Sequence, residues 1–186
     1  MKTTITGGGK QHTLHHINGK VMQSGKNMET IVSGGGGGGY SYKGTGGSAP
    51  VSISSRTVVH DQLFLVDETG KEHAFQLQDF NVAAREGNDL TVIWAIKQGK
   101  DSGPYIVVHN KTVGQTFYND SSLNKVFFYP IWYPLLATLL IFWLGGSVFS
   151  SMSFTFLLLI GIWVAWFYMG KTEVKKFKQQ TDFNSF

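Results

Sequence analysis

The stretch that decides the architecture runs from Val126 to Met169: VFFYPIWYPLLATLLIFWLGGSVFSSMSFTFLLLIGIWVAWFYM. It contains no Asp, Glu, Lys, Arg or His. Within it, Phe127–Leu144 and Met152–Met169 are each 18 residues long and almost wholly apolar. About 20 residues of helix cross a hydrocarbon core of roughly 30 Å, with a usable minimum of about 17. A chain of 186 residues has no soluble core large enough to surround two such helices. In lipid the backbone must also satisfy its own hydrogen bonds. The expected structure is a C-terminal two-helix transmembrane hairpin, turning at Gly145-Gly146-Ser147 and Ser150-Ser151. Pro130 and Pro134 fall in the first turns of the first helix, where a missing N–H costs least. Gly161 is placed to let the two helices approach closely.

The flanks predict an orientation. Lys125 precedes the first span; Lys171, Lys175, Lys176 and Lys178 follow the second, and the connection is uncharged. The positive-inside rule then puts both termini in the cytoplasm and the turn outside. Tyr129, Trp132 and Tyr133 open the first span, while Trp163, Trp166 and Tyr168 close the second. In an antiparallel pair both groups sit at one end, as a membrane-interface belt backed by Lys171, Lys175 and Lys176. Neither span holds an ionisable group of the kind that transporters use for proton relays or ion pathways. The hairpin reads as an anchor, with the lipid bilayer as its partner.

Residues 1–125 carry all six histidines and 12 Lys/Arg against ten Asp/Glu. No element concentrates Lys/Arg, so nucleic acid is not an expected partner. The absence of cysteine excludes disulfides, thiolate metal sites and cysteine nucleophiles, and fits a reducing compartment. Met1–Gly9 has no apolar run, so no secretory signal peptide is expected.

Composition divides the chain into five parts. Residues 1–32 read as an N-terminal β-hairpin segment, with strands flanking Asn18-Gly19, a strong hairpin signal. Residues 33–50, with six consecutive glycines at Gly34–Gly39, read as a flexible loop. Residues 51–125 form a β-domain that packs with 12–32; strands are expected at Asp61–Val66, Glu72–Leu77, Leu90–Ile96, Pro104–His109 and Gln115–Tyr118. Turns about every ten residues between such period-2 segments argue an all-β small barrel or sandwich, SH3-like or OB-like. Residues 126–169 are the transmembrane hairpin, and 170–186 a basic cytoplasmic tail.

The order of a short β-hairpin, a glycine-rich stretch, Ser54-Ser55-Arg56-Thr57, Phe64-x-x-Asp67-x-x-Gly70-Lys71-Glu72 and Arg85-Glu86-Gly87 resembles small uncharacterised bacterial membrane proteins. These have a soluble β-domain and C-terminal hydrophobic segments. The resemblance covers most of the chain and implies a multi-pass protein of the bacterial inner membrane. It carries no activity or catalytic residue with it.

Signals for chemistry are sparse. His12-x-x-His15-His16 suggests zinc, but on a strand His12 and His15 point to opposite faces, and no carboxylate spacing completes a tetrahedral set. His73 shares a face with Phe75 and Leu77 and reads as a packed or rim residue. Asp67-Glu68 and Glu86 to Asp89 are ordinary turn residues. Gly7-Gly8-Gly9-Lys10 is followed by Gln11, not by the Ser/Thr a phosphate-binding loop requires. No nucleophile elbow or zinc-protease helix is present. No cofactor or metal is expected, and no catalytic residue is assigned. Arg56 and Arg85 are the only arginines; their planar forks make them candidate ligands for an anion, against a structural ion pair as the plainer role.

The leading expectation is a membrane-anchored, non-enzymatic binding or regulatory module whose cytoplasmic β-domain recruits a protein or a small ligand, or self-associates. A membrane-perturbing, holin-like oligomer is one alternative. An enzyme acting on a membrane-proximal substrate is another.

Overall fold

A computed structural model of the chain describes residues 3–35, 40–42, 45–47, 51–148 and 152–186. The strands are β1 (Thr3–Gly7), β2 (Lys10–Gly35), β3 (Tyr40–Tyr42), β4 (Thr45–Gly47), β5 (Ser52–Val66), β6 (Glu72–Gln78), β7 (Asp89–Lys97), β8 (Tyr105–Asn110) and β9 (Gln115–Tyr118). The helices are α1 (Asp120–Phe127), α2 (Trp132–Val148) and α3 (Met152–Gln180), followed by a single 3-10 turn at Phe183–Ser185. One antiparallel sheet runs in the order β6-β5-β2-β7-β8-β9, with β1 beside the start of β2. β3 and β4 pair separately.

The five strands expected after residue 60 are all present, and the first of them extends back to Ser52. The expectation at Asn18-Gly19 fails. β2 runs through both residues without turning, pairing Asn18 with Thr91 and Gly19 with Leu90. Gly19 is needed for clearance: a Cβ there would lie 2.9 Å from the Val66 carbonyl oxygen and 3.0 Å from the Leu65 Cβ. Asn18 accepts from Thr91 Oγ1 at 2.7 Å, so its side chain serves the sheet rather than a turn. The real N-terminal turn is Gly8-Gly9, with φ of 56° and 71°, a two-residue connection that glycine enters without strain. Of the glycine-rich stretch, Ser33–Gly35 end β2, and Tyr40–Tyr42 pair with Thr45–Gly47. Its other residues lie outside those described.

Around β7, at its centre, the sheet is covered on both faces. Leu14, Ile93, Ala95 and Val107 face α1 and the end of α3 through Leu123, Val126, Phe127, Val174, Phe177 and Phe183. On the other face Val21, Leu63, Leu65, Leu77, Leu90, Val92 and Val108 enclose a second cluster, closed by Phe80 and Val82. The alternation expected for β7 is therefore absent: Leu90, Val92, Ile93 and Ala95 are all at most 1 % exposed. A strand covered on both sides reads as a continuous apolar run.

The apolar stretch departs from expectation in four ways. First, the helix expected from Phe127 to Leu144 is broken. α1 ends at Phe127, Phe128 is extended (φ −74°, ψ 137°), and α2 begins only at Trp132. Pro130 is the cause, since it lacks an N–H and pushes Tyr129 out of the helical region. Second, Gly145-Gly146-Ser147 do not turn the chain, because α2 continues to Val148. Third, α3 does not stop near Met169. Residues 170–180 continue it, and Val174 and Phe177 are buried against the sheet domain, so the basic segment is part of the core. Fourth, among the described residues nothing lies within 4 Å of where a Gly161 Cβ would stand, whereas at Gly170 a Cβ would meet the Phe128 ring at 2.6 Å. Close approach is made at Gly170. Among the described residues, one helical segment, Thr155–Gln180, is long and apolar enough by itself to cross a membrane. α1 and α2 reach that length only as a pair bent by 54°.

Phe177 packs on Phe127 with centroids 5.1 Å apart and on Phe183 at 6.0 Å. Removing it leaves a cavity where helix and sheet meet. Phe177→Ala is expected to cost about 3–5 kcal/mol, against less than about 1 kcal/mol for Val164→Ala on the exposed side of α3. Denaturant unfolding of the full chain in detergent, followed by near-ultraviolet dichroism, measures both.

Candidate functional site

Where the sheet domain meets the helices, β5, β6, the loop after β6 and α1 surround a polar cleft of about 420 Å³. α1 starts there because Asn119 caps it: its Oδ1 accepts from Ser122 N at 2.8 Å, while its Nδ2 donates to the Gln78 carbonyl at 2.7 Å. That second bond ties the helix start to the end of β6. Ser121, Ser122 and Lys125 of α1 then line the cleft with Arg56, Gln76, Gln78, Asp79 and Tyr105. Arg56 Nη2 meets Asp79 Oδ2 at 2.7 Å, with the arginine side chain 70 % exposed. Asp79 is held in the left-handed region (φ 59°), a conformation uncommon for residues other than glycine. The arrangement presents two cations from different elements, one carboxylate, and several neutral donors.

The structure separates the two arginines. Arg56 lies in this cleft with the ion pair expected of it. Arg85 is exposed in the loop before β7, where its backbone N–H donates to Asn88 Oδ1 at 3.0 Å. Lys125, not Arg85, is the second cation beside Arg56. Sequence spacing had no means of joining positions 56 and 125; only the α1 cap on β6 does so.

The aromatic residues expected at an interface divide. Trp132, Tyr133 and Tyr168 are 49 %, 50 % and 71 % exposed. Trp163 and Trp166 instead turn inward: Trp163 Nε1 donates to Thr138 Oγ1 at 3.3 Å, and Trp166 Nε1 to the Tyr129 carbonyl at 3.0 Å. Beside them an apolar groove of about 390 Å³ opens between α2 and α3, lined by Tyr133, Pro134, Ala137, Ile162 and Ala165 among others. Lys171 lies 5.7 Å over the Phe167 ring, Lys176 pairs with Glu173 at 2.9 Å, and Lys175 is exposed. Lys178 pairs with Asp120 at 2.6 Å and covers Tyr118, so this lysine fastens α3 to α1.

At the far end of the sheet a second cleft, of about 590 Å³, is lined by Asn18, Gly19, Lys20, Asp67, Asp89 and Lys111 among others. Asp67 Oδ1 accepts from Thr69 Oγ1 (2.6 Å), Thr69 N (2.9 Å) and Lys71 N (3.0 Å), and Oδ2 lies 2.8 Å from His73 Nε2. The Thr69 hydroxyl first, then His73 and the two N–H groups, hold the Asp67 carboxyl well below the usual range. His73 also stacks on Phe75 at 6.4 Å, a rim position as its face predicted. His12 is buried with its Nδ1 unpartnered, and burial pushes its imidazole down. His15 stacks on Trp94, and His16 meets the Phe186 ring edge-on. Among the described residues no three His, Asp or Glu side chains converge as metal ligands do.

No protein-family model, curated protein or solved structure matches the chain. Its functional reading therefore rests on geometry.

The depressed Asp67 carboxyl fixes the sign of a pH effect. Its ionised form stabilises the fold fully above the unfolded value of about 4, and that contribution is lost as pH falls through the lower folded value. Asp67→Asn is expected to lower the unfolding midpoint at pH 7, with the gap to wild type closing progressively below about pH 4. Denaturant titrations of both forms from pH 7 to pH 2.5 check this.

Proposed function

We propose that the chain is a membrane-anchored binding module whose β-domain takes up an anionic group in the cleft between Arg56 and Lys125. One observation carries the reading. The helix apolar enough to cross a bilayer passes unbroken into the core of the sheet domain, and this cleft lies where the two parts join. Side chains on the apolar part of α3, such as Phe156, Leu157 and Val164, are more than 60 % exposed in the isolated chain, as lipid-facing residues are. In this reading α2 and α3 form the transmembrane hairpin, with α1 lying at the surface before it. The uncharged connection lies outside, and Lys125 and the lysines of α3 lie on the cytoplasmic side. The cleft then opens at headgroup level.

An anion there gains charge-assisted hydrogen bonds from a guanidinium and an ammonium, with the Gln76 and Gln78 amides and Ser121 as neutral donors. Arg56 already has Asp79 as a partner, so the ligand competes with, or bridges from, an existing ion pair. A regulatory role follows if occupancy changes how Asp79 and the loop after β6 are held.

Calorimetric titration of the detergent-solubilised full chain with pyrophosphate tests the site. Arg56→Gln and Lys125→Gln are each expected to weaken binding about tenfold or more, since hydrogen bonds to charged groups contribute about 1.5–3 kcal/mol. Arg85→Gln leaves it unchanged. Absence of binding to wild type, or equal losses in all three variants, overturns the assignment.

A further inference from the structure

Among the described residues, nothing covers one part of the sheet. Among the described residues, Asn27–Gly35 of β2 pair only with β5, and Ser52–Val58 of β5 only with β2. These segments form a two-stranded arm with both edges open. An isolated two-stranded ribbon is marginal in water and needs a third strand or a surface. One of its faces makes polar contacts beside the half-exposed Ile31: Glu29 meets His60 at 3.4 Å, Ser33 Oγ lies 2.9 Å from Ser54 Oγ, and Arg56 holds Asp79. The other face carries Met28, Thr30, Val32, Ile53, Ser55 and Thr57, with Met28 71 %, Val32 64 % and Ile53 70 % exposed. From Ile31 to Ser55 the sequence holds a single charged residue, Lys43.

Contacts with α1 give the arm its direction. At Val66, β5 lies beside Lys20, at the end of the sheet where Asn18 and Lys111 donate to the Phe186 carbonyl beyond α3. At His60 it lies opposite Gln78, whose carbonyl is bonded to Asn119 at the start of α1. At Arg56 it lines the same cleft as Lys125, near the end of α1. His60 to Arg56 covers about 13 Å at strand rise, and Asn119 to Lys125 about 9 Å at helix rise. The arm and α1 therefore advance together. α1 stops at Phe127, where the chain turns toward its apolar helices, and Ile53 lies three residues beyond Arg56.

We propose that the distal arm, residues 31–35 and 51–55, lies in the headgroup region of the bilayer that holds α3. This rests on the membrane-anchored reading above. The surface is a lipid one because the arm reaches the level where the apolar helices begin, loses its charge there, and is flanked at its base by Arg56 and Lys125, which complement lipid phosphate. Its depth is limited. Open strand edges do not occur in hydrocarbon, so the backbone stays among headgroups and water while Val32, Val51 and Ile53 reach the acyl boundary. The sheet domain is then held to the membrane at two points, by α3 through its core and by the arm from its side.

The chain has no cysteine, so single labels can be placed without disturbing it. Ile53→Cys, Leu157→Cys and Glu68→Cys, all at exposed positions, are labelled with a small fluorophore in the full chain. The protein is reconstituted in phosphatidylcholine–phosphatidylglycerol vesicles with nitroxide lipids at shallow or deep positions. The expected result is loss of roughly half or more of the Ile53 signal with the shallow nitroxide, of the Leu157 signal with the deep one, and little change at Glu68. An unquenched Ile53 beside a quenched Leu157 overturns the arm's lipid contact and leaves the anchor standing. A shielded but unquenched Ile53, as pairing with a second copy would give, overturns it equally. An unquenched Leu157 removes the anchor itself, and the inference with it.

Discussion

The structure depends on one junction, the packing of Val174 and Phe177 from the end of α3 against Leu14, Ile93, Ala95 and Val107 of the sheet and Val126 and Phe127 of α1. These residues are at most 7 % exposed. A helix joined to a domain by a flexible tail transmits nothing; a helix whose last turns are part of the core carries its orientation into the sheet. Lys178, bonded to Asp120 and lying 4.5 Å over the Tyr118 ring, secures the same junction at its polar rim. Such exposed pairs are worth little by themselves, so the apolar contacts dominate.

Around this junction the chain makes a sharp change of direction with few residues. Pro130 breaks the helix, Phe128 is extended, and the Phe128 ring packs on Trp166 and Phe167 at 5.3 and 6.0 Å. Gly170 has no side chain because that ring occupies the space. The Gly8-Gly9 turn closes over the same point, with Gly9 beside the Tyr129 ring. Three distant parts of the chain thus meet at the entry to the apolar helices. The tilt of α1 against α2 and the position of the Arg56–Lys125 cleft both follow from that meeting.

Much of the sheet was legible in the chain because its strands after residue 60 are short, alternate or apolar, and are bounded by glycine turns. Asp67-Glu68-Thr69-Gly70 and Glu86-Gly87-Asn88-Asp89 turn as their residue types demand, with positive φ at Gly70 and Gly87. Asn18-Gly19 misled because the same two residues suit a turn or a crowded crossing. A glycine needed for clearance and an asparagine needed for a hydrogen bond to Thr91 are indistinguishable, by type, from a hairpin loop. The continuous 26-residue β2 is set by its neighbours, β7 on one side as far as Lys20 and β5 on the other from Lys20 onward, across the bulge between Val21 and Gln23. The candidate site was half legible. Arg56 stood out by its chemistry, but Lys125 read only as a flanking charge.

Read along the chain alone, residues 126–169 are two apolar, uncharged segments, and a β-rich domain precedes them. Both conclusions rest on local quantities, hydropathy and side-chain alternation. The tertiary structure decided where the helices begin and end. It broke the first at Pro130 and carried the second past Met169 into the domain. The reason is physical: a run of Lys175, Lys176 and Lys178 looks like a solvated tail until Val174 and Phe177, on the other side of the same helix, find a sheet face to cover. Apolar content is written along the chain, but the partner that buries it is known only when the chain is folded.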